Sequence, residues 1–459
     1  MATIKTVSLS LRALAKNPGT AFVASYFVAA NLGGLLLCLP AATRAGRIAW
    51  VDALFTATSA LSVTGLTVVD TGTVYTLFGQ IVILLLIQFG GLGIMTFAVW
   101  IFASTGWRVS VVQRCFIQDT YASDPTINIK RLLGFIIVFV LGAELLGAGL
   151  LMISLRGEFG LLKNFYYSLF HSIAAFCNAG FSLFPDSLVG HYDNALLNLT
   201  IAFLIIFGGI GFPVMFELLT WAKKPTRTRL SLHTRITVQT TALLIFGGMA
   251  LFWFFEHNSY MKQMTAGQQA LASFFQSVTC RTAGFNTVRF DLLNNTTLMV
   301  CILLMFIGAS PGSCGGGIKT TSAATLVIVL WNRLCGRETN RVHRSSLTQA
   351  AVSKTISVVI LSSLFILTMV CCLLMTDITD AALKQSRGMV LEYLFETVSA
   401  FGTVGLSMGT TPRLNPAGKL LITLTMFVGR VGILTLVYLF AQQKAPPRYE
   451  YAEENIMIG

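Results

Sequence analysis

Long apolar stretches alternate with shorter ones along almost the whole chain. Eight stretches reach about the 20 apolar residues that a helix needs to cross a membrane. They lie near 18–40, 78–103, 132–155, 196–222, 237–256, 295–330, 355–376 and 418–441. Between the members of each successive pair stands a shorter apolar stretch that suits a re-entrant segment. The pattern therefore predicts four units, each made of a helix, a re-entrant segment and a second helix.

The four short stretches share a motif in which a Phe is followed ten residues later by a Gly and then by Leu or Phe. They read FTATSALSVTGLT (55–67), FHSIAAFCNAGFS (170–182), FFQSVTCRTAGFN (274–286) and FETVSAFGTVGLS (395–407). The helix after each one also repeats a sequence: QFGGLG (88–93), IFGGIG (206–211), FIGASPG (306–312) and FVGRVG (427–432). Self-similarity at a regular spacing indicates an internal repeat. We predict an all-α polytopic membrane protein with four tandem helix–pore-loop–helix repeats around a pseudo-fourfold central pore.

The repeat sets the expected domain boundaries. Four pore repeats stand between a cytoplasmic N-terminal segment and a cytoplasmic C-terminal tail. The N-terminal segment is 1–17, repeat 1 is 18–103, repeat 2 with its preceding cytoplasmic loop is 104–222, repeat 3 is 223–330, repeat 4 is 331–441, and the tail is 442–459.

Composition excludes a soluble protein. Of the 459 residues, 54% are hydrophobic and 11% are charged, whereas a soluble domain carries about 25% charged residues. The five histidines and nine cysteines are scattered without a metal-ligand motif, and no P-loop is present. We therefore expect no enzymatic activity, no bound cofactor and no nucleic-acid partner, although the net charge is +13.

The basic residues predict the orientation in the membrane. If each repeat crosses only twice, the segments 1–17, 104–131, 223–236, 331–354 and 442–459 share one side and hold 19 of the 32 Lys and Arg residues. Cytoplasmic loops carry an excess of Lys and Arg. The charge count thus favours re-entrant short segments and places both termini in the cytoplasm.

Four equivalent re-entrant loops around an axis suit a cation pore. The C-terminal end of each short helix carries about half a negative charge, and the residues that follow can present backbone carbonyls to an ion. A ring of carbonyls that replaces a hydration shell selects potassium. The predicted filter segments are Val63-Thr64-Gly65, Asn178-Ala179-Gly180, Thr282-Ala283-Gly284 and Thr403-Val404-Gly405. The alternative is that these glycines only allow close helix packing.

The chain resembles the potassium-translocating subunit of the Trk/Ktr/HKT cation transporter superfamily, in particular its KtrB type. The motifs that carry the resemblance are, in order, VTGL, NAGF, RTAGF and TVGL, then GGGIKTT and GRVGILTL. The resemblance covers nearly the whole chain. It implies a single-chain pseudo-tetrameric potassium pore in the inner membrane of a bacterium, and a homodimer gated by a cytosolic KtrA-like ring of RCK nucleotide-binding subunits. Glycine at all four filter positions goes with potassium in that family, and sodium is implied as a coupling ion or an activator.

The apolar stretch 295–330 must break as a helix, because its middle reads GASPGSCGGG (308–317). Proline and clustered glycines interrupt helices. The resemblance makes this segment an intramembrane gate loop, whereas a passive packing kink is the alternative. The gate residues are predicted as Gly308, Gly312, Gly315, Gly316, Gly317, Lys319 and Arg430.

Three basic residues fall at membrane depth. A buried arginine there costs at least about 2.5 kcal/mol, so we expect Arg430 to have a role, either as a structural partner of loop carbonyls or of a Glu, or as a positive barrier that holds the gate loop. Lys319 either acts with Arg430 or, as we expect, extends towards the cytoplasm. Arg281 would repel a cation in the pore, so we expect it to point backwards and support the filter, with Glu396 as its suggested partner.

Two further expectations concern the outer mouth and the overall function. Asp70, Asp186 and Asp291 follow the first three filter segments and either concentrate cations or belong to ordinary solvated loops. The leading function is potassium uptake across the cytoplasmic membrane. The alternative is a sodium-coupled secondary solute transporter, because such proteins bind substrate where helices are broken at mid-membrane.

Overall fold

The structure, a computed structural model, describes residues 18–93, 129–223, 225, 229–337, 339–342, 345–376 and 383–440. The predictions for the segment 1–17, for most of the loop 104–131 and for the tail 442–459 lie outside these residues. Within the described ranges the chain is helical apart from turns, loops and one hairpin, in which β1 (Arg341–Val342) pairs antiparallel with β2 (Ser345–Ser346). The predicted all-α fold class is confirmed.

In the first two repeats, each predicted short segment forms a helix that lies between two further helices. The helices are α1 (Pro18–Leu37), α2 (Trp50–Leu61), α3 (Thr71–Val74), α4 (Leu77–Leu92), α5 (Ile129–Ser154), α6 (Leu161–Phe176), α7 (Ala195–Gly209) and α8 (Phe212–Lys223). The last two repeats follow the same order. Their helices are α9 (Leu232–Glu256), α10 (Ala266–Thr279), α11 (Asn295–Phe306), α12 (Thr320–Leu334), α13 (Gln349–Thr376), α14 (Leu383–Gly402), α15 (Pro416–Val431) and α16 (Ile433–Phe440).

The four helices predicted as pore helices, and called so below, are α2, α6, α10 and α14, and they lie inside the protein. The last two turns of each are almost entirely buried. The buried positions are largely Ala, Ser, Thr and Phe, whose small and aromatic side chains allow close packing on several sides. A capping box starts α10, since the Thr265 side chain accepts from the Gln268 main chain and the Gln268 side chain accepts from the Thr265 main chain. Such caps satisfy orphan amides at a helix start.

The repeated glycine motif explains how the second helix of a repeat approaches its pore helix. A Cβ at Gly90 would collide with the carbonyl oxygen of Leu61 at the end of α2. The same collision would occur between Gly208 and Phe176, and between Gly429 and Phe401. Glycine is therefore required for this contact in three repeats. In the third repeat, the equivalent Gly308 contacts Gly316 of the broken-helix loop instead.

The second helices break close to these glycines. The predicted continuous span 196–222 is wrong, because α7 and α8 are bent by 101° at Ile210-Gly211. The predicted span 418–441 is also interrupted, at Gly432, whose φ of +89° favours glycine. Residues 307–319 separate α11 from α12, as the glycine-rich sequence predicts.

These breaks change the number of helices that qualify as membrane spans by length and composition. In the described residues, Leu132–Ser154, Leu232–Glu256 and Gln349–Thr376 are long and apolar enough, and the bent pair α7–α8 makes a fourth if it is one span. Leu77–Leu92 and Asn295–Phe306 are apolar but shorter. Fewer helices in the described ranges thus qualify as spans than the eight predicted apolar stretches, because the stretch 196–222 is bent and several of the other helices are short.

Two hydrophobic cores hold the repeats together. One joins repeats 1 and 2 with part of repeat 3, and the other joins repeats 3 and 4 with Phe55, Leu66 and Val68 of repeat 1. Repeats 4 and 1 are also joined by an ion pair between Lys419 on α15 and Asp52 in the first turn of α2, at 2.7 Å. At this position a negative charge also interacts favourably with the dipole of α2. These contacts bring the ends of all four pore helices towards one centre.

Candidate functional site

The four filter glycines form a closed ring. A Cβ placed on each glycine would point at the carbonyl oxygen that precedes the filter glycine of the next repeat: Gly65 at Ala179, Gly180 at Ala283, Gly284 at Val404 and Gly405 at Thr64. It would also lie 2.9 to 3.3 Å from the next glycine Cα. No side chain fits at these positions without displacing the neighbouring strand. The structure thus brings the four predicted filter segments together around one axis.

The residue two positions before each glycine adopts a left-handed backbone conformation. The φ values are +57° at Val63, +60° at Asn178, +76° at Thr282 and +51° at Thr403. A positive φ is uncommon outside glycine and is an outlier for a β-branched residue such as Val or Thr. It costs about 1–3 kcal/mol and is found mainly where function requires it. The same strained conformation therefore recurs at four equivalent positions.

Hydroxyl groups of the pore helices hold the strained segments. The Ser59 hydroxyl donates to the Leu66 carbonyl at 2.7 Å and accepts from the Gly65 amide at 3.1 Å. Ser399 accepts from the Gly405 amide at 3.1 Å, and Thr279 donates to the Phe285 carbonyl at 2.6 Å. All three hydroxyl-bearing residues are buried. Each buried hydrogen bond adds about 1 kcal/mol, which helps to offset the backbone strain.

A cavity of about 560 Å³ opens on one side of the ring. All four filter glycines line it, together with the predicted acidic residues Asp70, Asp186 and Asp291. Arg289 also lines the cavity and pairs with Asp291 at 2.6 Å. This hydrogen bond to the Arg289 guanidinium lowers the pKa of Asp291 from its ordinary value, so Asp291 keeps its charge further into the acidic range. The three carboxylates therefore line the same cavity, which we call the vestibule.

Polar side chains and the broken-helix loop occupy the opposite side of the ring. Asn178 and Thr282 are hydrogen-bonded through their side chains at 3.1 Å. The Gly316 amide donates to the Thr403 hydroxyl at 2.8 Å. A Cβ at Gly315 would collide with Thr282. The intramembrane loop, defined as residues 308–317, thus packs directly against the filter segments on the side away from the vestibule.

The intramembrane loop exchanges main-chain hydrogen bonds with the break between α7 and α8. Ser310 donates to Gly209 at 3.0 Å, and Cys314 donates to Gly208 at 3.1 Å. In return, Phe212 donates to the Gly312 carbonyl at 2.9 Å. The base of the loop is closed by a hydrogen bond of 2.8 Å from Gly308 to Ile318. The loop of repeat 3 is therefore held by the broken helix of repeat 2.

Arg430 joins the intramembrane loop to repeats 4 and 1. Its guanidinium donates to the main-chain carbonyls of Cys314 in the loop and Gly90 near the end of α4. Its Nε donates to the Tyr26 hydroxyl at 3.2 Å, and Tyr26 donates to the Leu61 carbonyl at 2.5 Å. A planar guanidinium with several donors suits such convergent acceptors. Arg430 thereby connects the loop, the first pore helix and the last broken helix.

Lys319 departs from the expected orientation. The Nζ atom does not extend towards the cytoplasm but turns back into the intramembrane loop, where it donates to the Gly315 carbonyl at 2.7 Å. The helix break frees this carbonyl, and a nearby ammonium group satisfies it. The expectation of an outstretched lysine is therefore wrong.

Arg281 is buried behind the third filter segment, and the suggested pair with Glu396 is wrong. One terminal nitrogen donates to the Thr241 carbonyl on α9 at 3.2 Å. Glu396 instead accepts from the hydroxyls of Ser407, at 2.9 Å, and Thr411. The carboxyl finds these partners within its own repeat, because the chain after the fourth filter segment folds back over α14.

The role of Tyr26 and the actual partners of Glu396 escape the sequence argument. Tyr26 is an aromatic residue in an apolar helix, so its role as an acceptor for Arg430 has no signal in the pattern. Glu396 carries a signal, because a carboxylate within a short, otherwise apolar helix needs buried partners. In the described ranges, no group of three His, Cys, Asp or Glu residues is arranged to hold a metal ion.

Comparisons with known proteins agree along almost the whole sequence. Residues 15–449 match the model of a family described as TrkH, cation transport protein. The Ktr system potassium uptake protein B of Bacillus subtilis is 39% identical over 445 residues, which cover 96% of this chain and 97% of that protein. The protein of the same name from Vibrio alginolyticus is 38% identical over 427 residues, 93% of this chain and 91% of that protein.

Two further similarities concern ion range and fold. The potassium/sodium uptake protein NtpJ of Enterococcus hirae is 36% identical over 451 residues, covering 96% of this chain and 97% of that protein. The crystal structure of the potassium transporter TrkH from Vibrio parahaemolyticus aligns with a TM-score of 0.69. It is 21% identical and covers 91% of this chain and 83% of the other, which shows a shared fold.

Proposed function

Because this chain belongs to the TrkH family of cation transport proteins, whose members are transporters rather than enzymes, we propose that it takes up potassium ions along the axis of the glycine ring. The observation that carries the proposal is the closed ring of Gly65, Gly180, Gly284 and Gly405. Four strands from one chain meet there at equivalent positions. The vestibule leads to the ring from one side.

Main-chain oxygens are the proposed ion ligands. Four pore helices end immediately before the filter segments, so their negative dipole ends favour a cation at the centre. Glycine at every ring position lets neighbouring filter strands approach each other closely enough to form the ring. Two relatives at 38–39% identity are named potassium uptake proteins, which supports potassium as the transported ion. Each filter segment has one glycine and lacks the TVGYG sequence, so we expect weaker discrimination than in a strict potassium channel.

The intramembrane loop is the proposed gate. It packs against Thr282 and Thr403 on the side of the ring away from the vestibule, where it would obstruct an ion leaving the filter. Gly308, Gly312, Gly315, Gly316 and Gly317 give it a backbone that can change conformation. Lys319 and Arg430 bind its carbonyls and would hold the closed state.

Assembly and location follow from the family resemblance. We propose a homodimer in the bacterial inner membrane, with both termini in the cytoplasm and a KtrA-like cytosolic RCK subunit that controls the gate. The relatives' names describe parts of a Ktr system, which supports a further subunit. One relative is named for both potassium and sodium, and sodium is proposed as an activator or a coupling ion.

A sodium-coupled solute transporter is the alternative function. Broken helices such as α7–α8 and α11–α12 occur in such transporters. Their sites, however, lie between repeats, whereas the ring here receives one equivalent loop from every repeat. The ring therefore favours a cation pore.

Complementation tests the proposed function. The chain is expressed in a bacterium that lacks potassium uptake, with and without an RCK subunit, and growth is followed at low potassium. We expect rescue by the chain and a stronger or regulated rescue with the RCK subunit. Growth that stays dependent on high potassium in both cases, with the chain present in the membrane, would overturn the proposal.

A further inference from the structure

Each pore helix carries a buried polar residue one turn before the level of Ser59 and its equivalents. The positions three residues earlier than Ser59, Ala174, Thr279 and Ser399 are occupied by Thr56, His171, Gln276 and Glu396. All four side chains are at most 1% exposed. Residues three apart lie on the same face of a helix. The pore helices thus present two levels towards the filter, and we call Thr56, His171, Gln276 and Glu396 the upper positions.

Three of the upper positions reach the chain that follows the filter glycine. His171 Nε2 lies 3.0 Å from the Ser182 hydroxyl and accepts from the Leu183 amide at 3.3 Å. Gln276 Nε2 donates to the Thr287 hydroxyl at 2.9 Å. In the first repeat, Thr56 instead accepts from the Tyr75 hydroxyl at 3.1 Å, further along the chain. A hydroxyl, an imidazole, an amide and a carboxyl therefore occupy corresponding places on the four pore helices, nine residues before the filter glycine in repeats 1, 2 and 4 and eight before it in repeat 3.

Glu396 makes the most extensive contacts of this set. Its carboxyl accepts from Ser407, two residues after the filter glycine Gly405, and from Thr411, six residues after it. The Ser407 hydroxyl in turn accepts from the Gly409 amide at 3.0 Å. Gly405, Ser407, Gly409 and Thr411 all line the vestibule. One buried carboxyl thus fixes the outer wall that the fourth repeat contributes to the ion entrance.

We propose that Glu396 is a positioning residue that holds the outer end of the fourth filter strand and thereby sets the discrimination between potassium and sodium. This inference rests on the proposed function. Carbonyl rings discriminate between ions through the size of the cavity or the field of their dipoles. A strand released at its outer end can move its carbonyls towards a smaller ion. Removal of the carboxyl therefore weakens selectivity, while the pore itself remains.

Glu392 provides a matched control on the same helix. It lies one turn before Glu396 and pairs with Arg413 at 2.9 Å, with side chains 31% and 64% exposed. Its carboxylate also lies 3.4 Å from the Thr410 hydroxyl. Exposed ion pairs contribute little to stability. Glu392→Ala removes a carboxylate from α14 without touching the buried contacts of Ser407 and Thr411.

The experiment measures potassium and sodium fluxes into liposomes that contain the unaltered full chain or one of three variants of it. The variants are Glu396→Ala, Glu396→Gln and Glu392→Ala. We expect the potassium-to-sodium flux ratio to fall on the order of tenfold in Glu396→Ala, since the two buried hydrogen bonds to Ser407 and Thr411 are lost. In Glu396→Gln the side chain keeps its shape and one acceptor, so the flux ratio falls less. Glu392→Ala keeps the original ratio.

A double variant tests whether Glu396 acts through Ser407. In a double-mutant cycle, contacting residues give non-additive effects. Ser407→Ala alone is expected to lower the flux ratio, and to lower it little further when Glu396→Ala is already present. If Glu396→Ala does not fold, as judged by size-exclusion chromatography, Thr411→Val removes one hydroxyl and leaves the carboxyl in place, and it is expected to lower the ratio too.

Two outcomes separate the inference from the function on which it rests. A flux ratio unchanged in folded Glu396→Ala, or unchanged in both Ser407→Ala and Thr411→Val, overturns the role of Glu396 alone. An absence of potassium flux through the unaltered chain overturns the proposed function, and the inference with it.

Discussion

Arg430 on α15 donates a hydrogen bond from its guanidinium to the main-chain carbonyl of Cys314, in the intramembrane loop. The same side chain also donates to Gly90 of the first repeat. A charged side chain thus joins the loop of repeat 3 to helices of repeats 4 and 1. With the Tyr26 hydroxyl as a third acceptor, this arrangement stabilises one position of the loop.

Arg430→Ala is expected to release the intramembrane loop. A hydrogen bond to a charged group contributes about 1.5–3 kcal/mol, so its loss shifts a closed-to-open equilibrium on the order of 10- to 100-fold. Potassium uptake without the RCK subunit should therefore rise or lose its regulation. Arg413→Ala is the control, because Arg413 is largely exposed at the outer surface. Unchanged uptake together with an unchanged response to nucleotide would contradict this role.

Gly316→Ala tests the same loop through its packing. A Cβ at Gly316 would lie 2.6 Å from Thr403 Cγ2, closer than two carbon atoms approach. Overpacking costs about 1–3 kcal/mol, so the loop should leave its position under the ring and flux should rise about tenfold. Gly247→Ala is the matched control, since Gly247 on α9 has no atom within 4 Å of its Cβ position. Equal flux in the two variants would show that the loop does not obstruct the pore.

The repeat and the position of the ring could be predicted from the sequence, because they depend on residues that recur in register. Gly65 and its three equivalents each follow a Phe by ten residues and directly precede a Leu or Phe, so this spacing identifies them. The break at 308–317 was predictable for a similar reason, since its glycines and Pro311 forbid a continuous helix. In both cases the glycines determine the local backbone conformation, and the tertiary structure uses that same conformation.

The bend at Ile210-Gly211 and the partners of the charged residues could not be predicted in this way. The sequence IFGGIG is apolar throughout, so its hydropathy predicts one continuous helix where the structure has a bend of 101°. Glu396 pairs with Ser407 and Thr411 rather than with Arg281, because the path of the chain after the filter decides which groups meet. Lys319 turns inward because a carbonyl is freed four residues before it. Such contacts depend on three-dimensional placement.

Asp186→Asn tests the vestibule as an electrostatic funnel. Asp186 lines the cavity that leads to the ring, whereas the exposed Asp193 lies outside its lining and serves as the control in Asp193→Asn. A unit charge acting over about 10 Å in water contributes about 0.4 kcal/mol, so initial uptake at low potassium should fall about twofold. The effect should disappear at high ionic strength, which screens exposed charges. An equal loss at low and high salt would contradict a funnel.

The central claim is that ions pass through the glycine ring, and Gly65→Ser tests it most directly. A side chain at Gly65 would meet the Ala179 carbonyl and Gly180, at a φ of +93°, and such strain costs about 1–3 kcal/mol. Potassium flux into liposomes is compared with Gly267→Ser on α10, where no atom lies within 4 Å of the Cβ position. We expect Gly65→Ser to lower potassium flux about tenfold or more and to raise the share of sodium, while Gly267→Ser behaves as the unaltered chain. Potassium flux and ion selectivity that stay unchanged in folded Gly65→Ser would contradict the account.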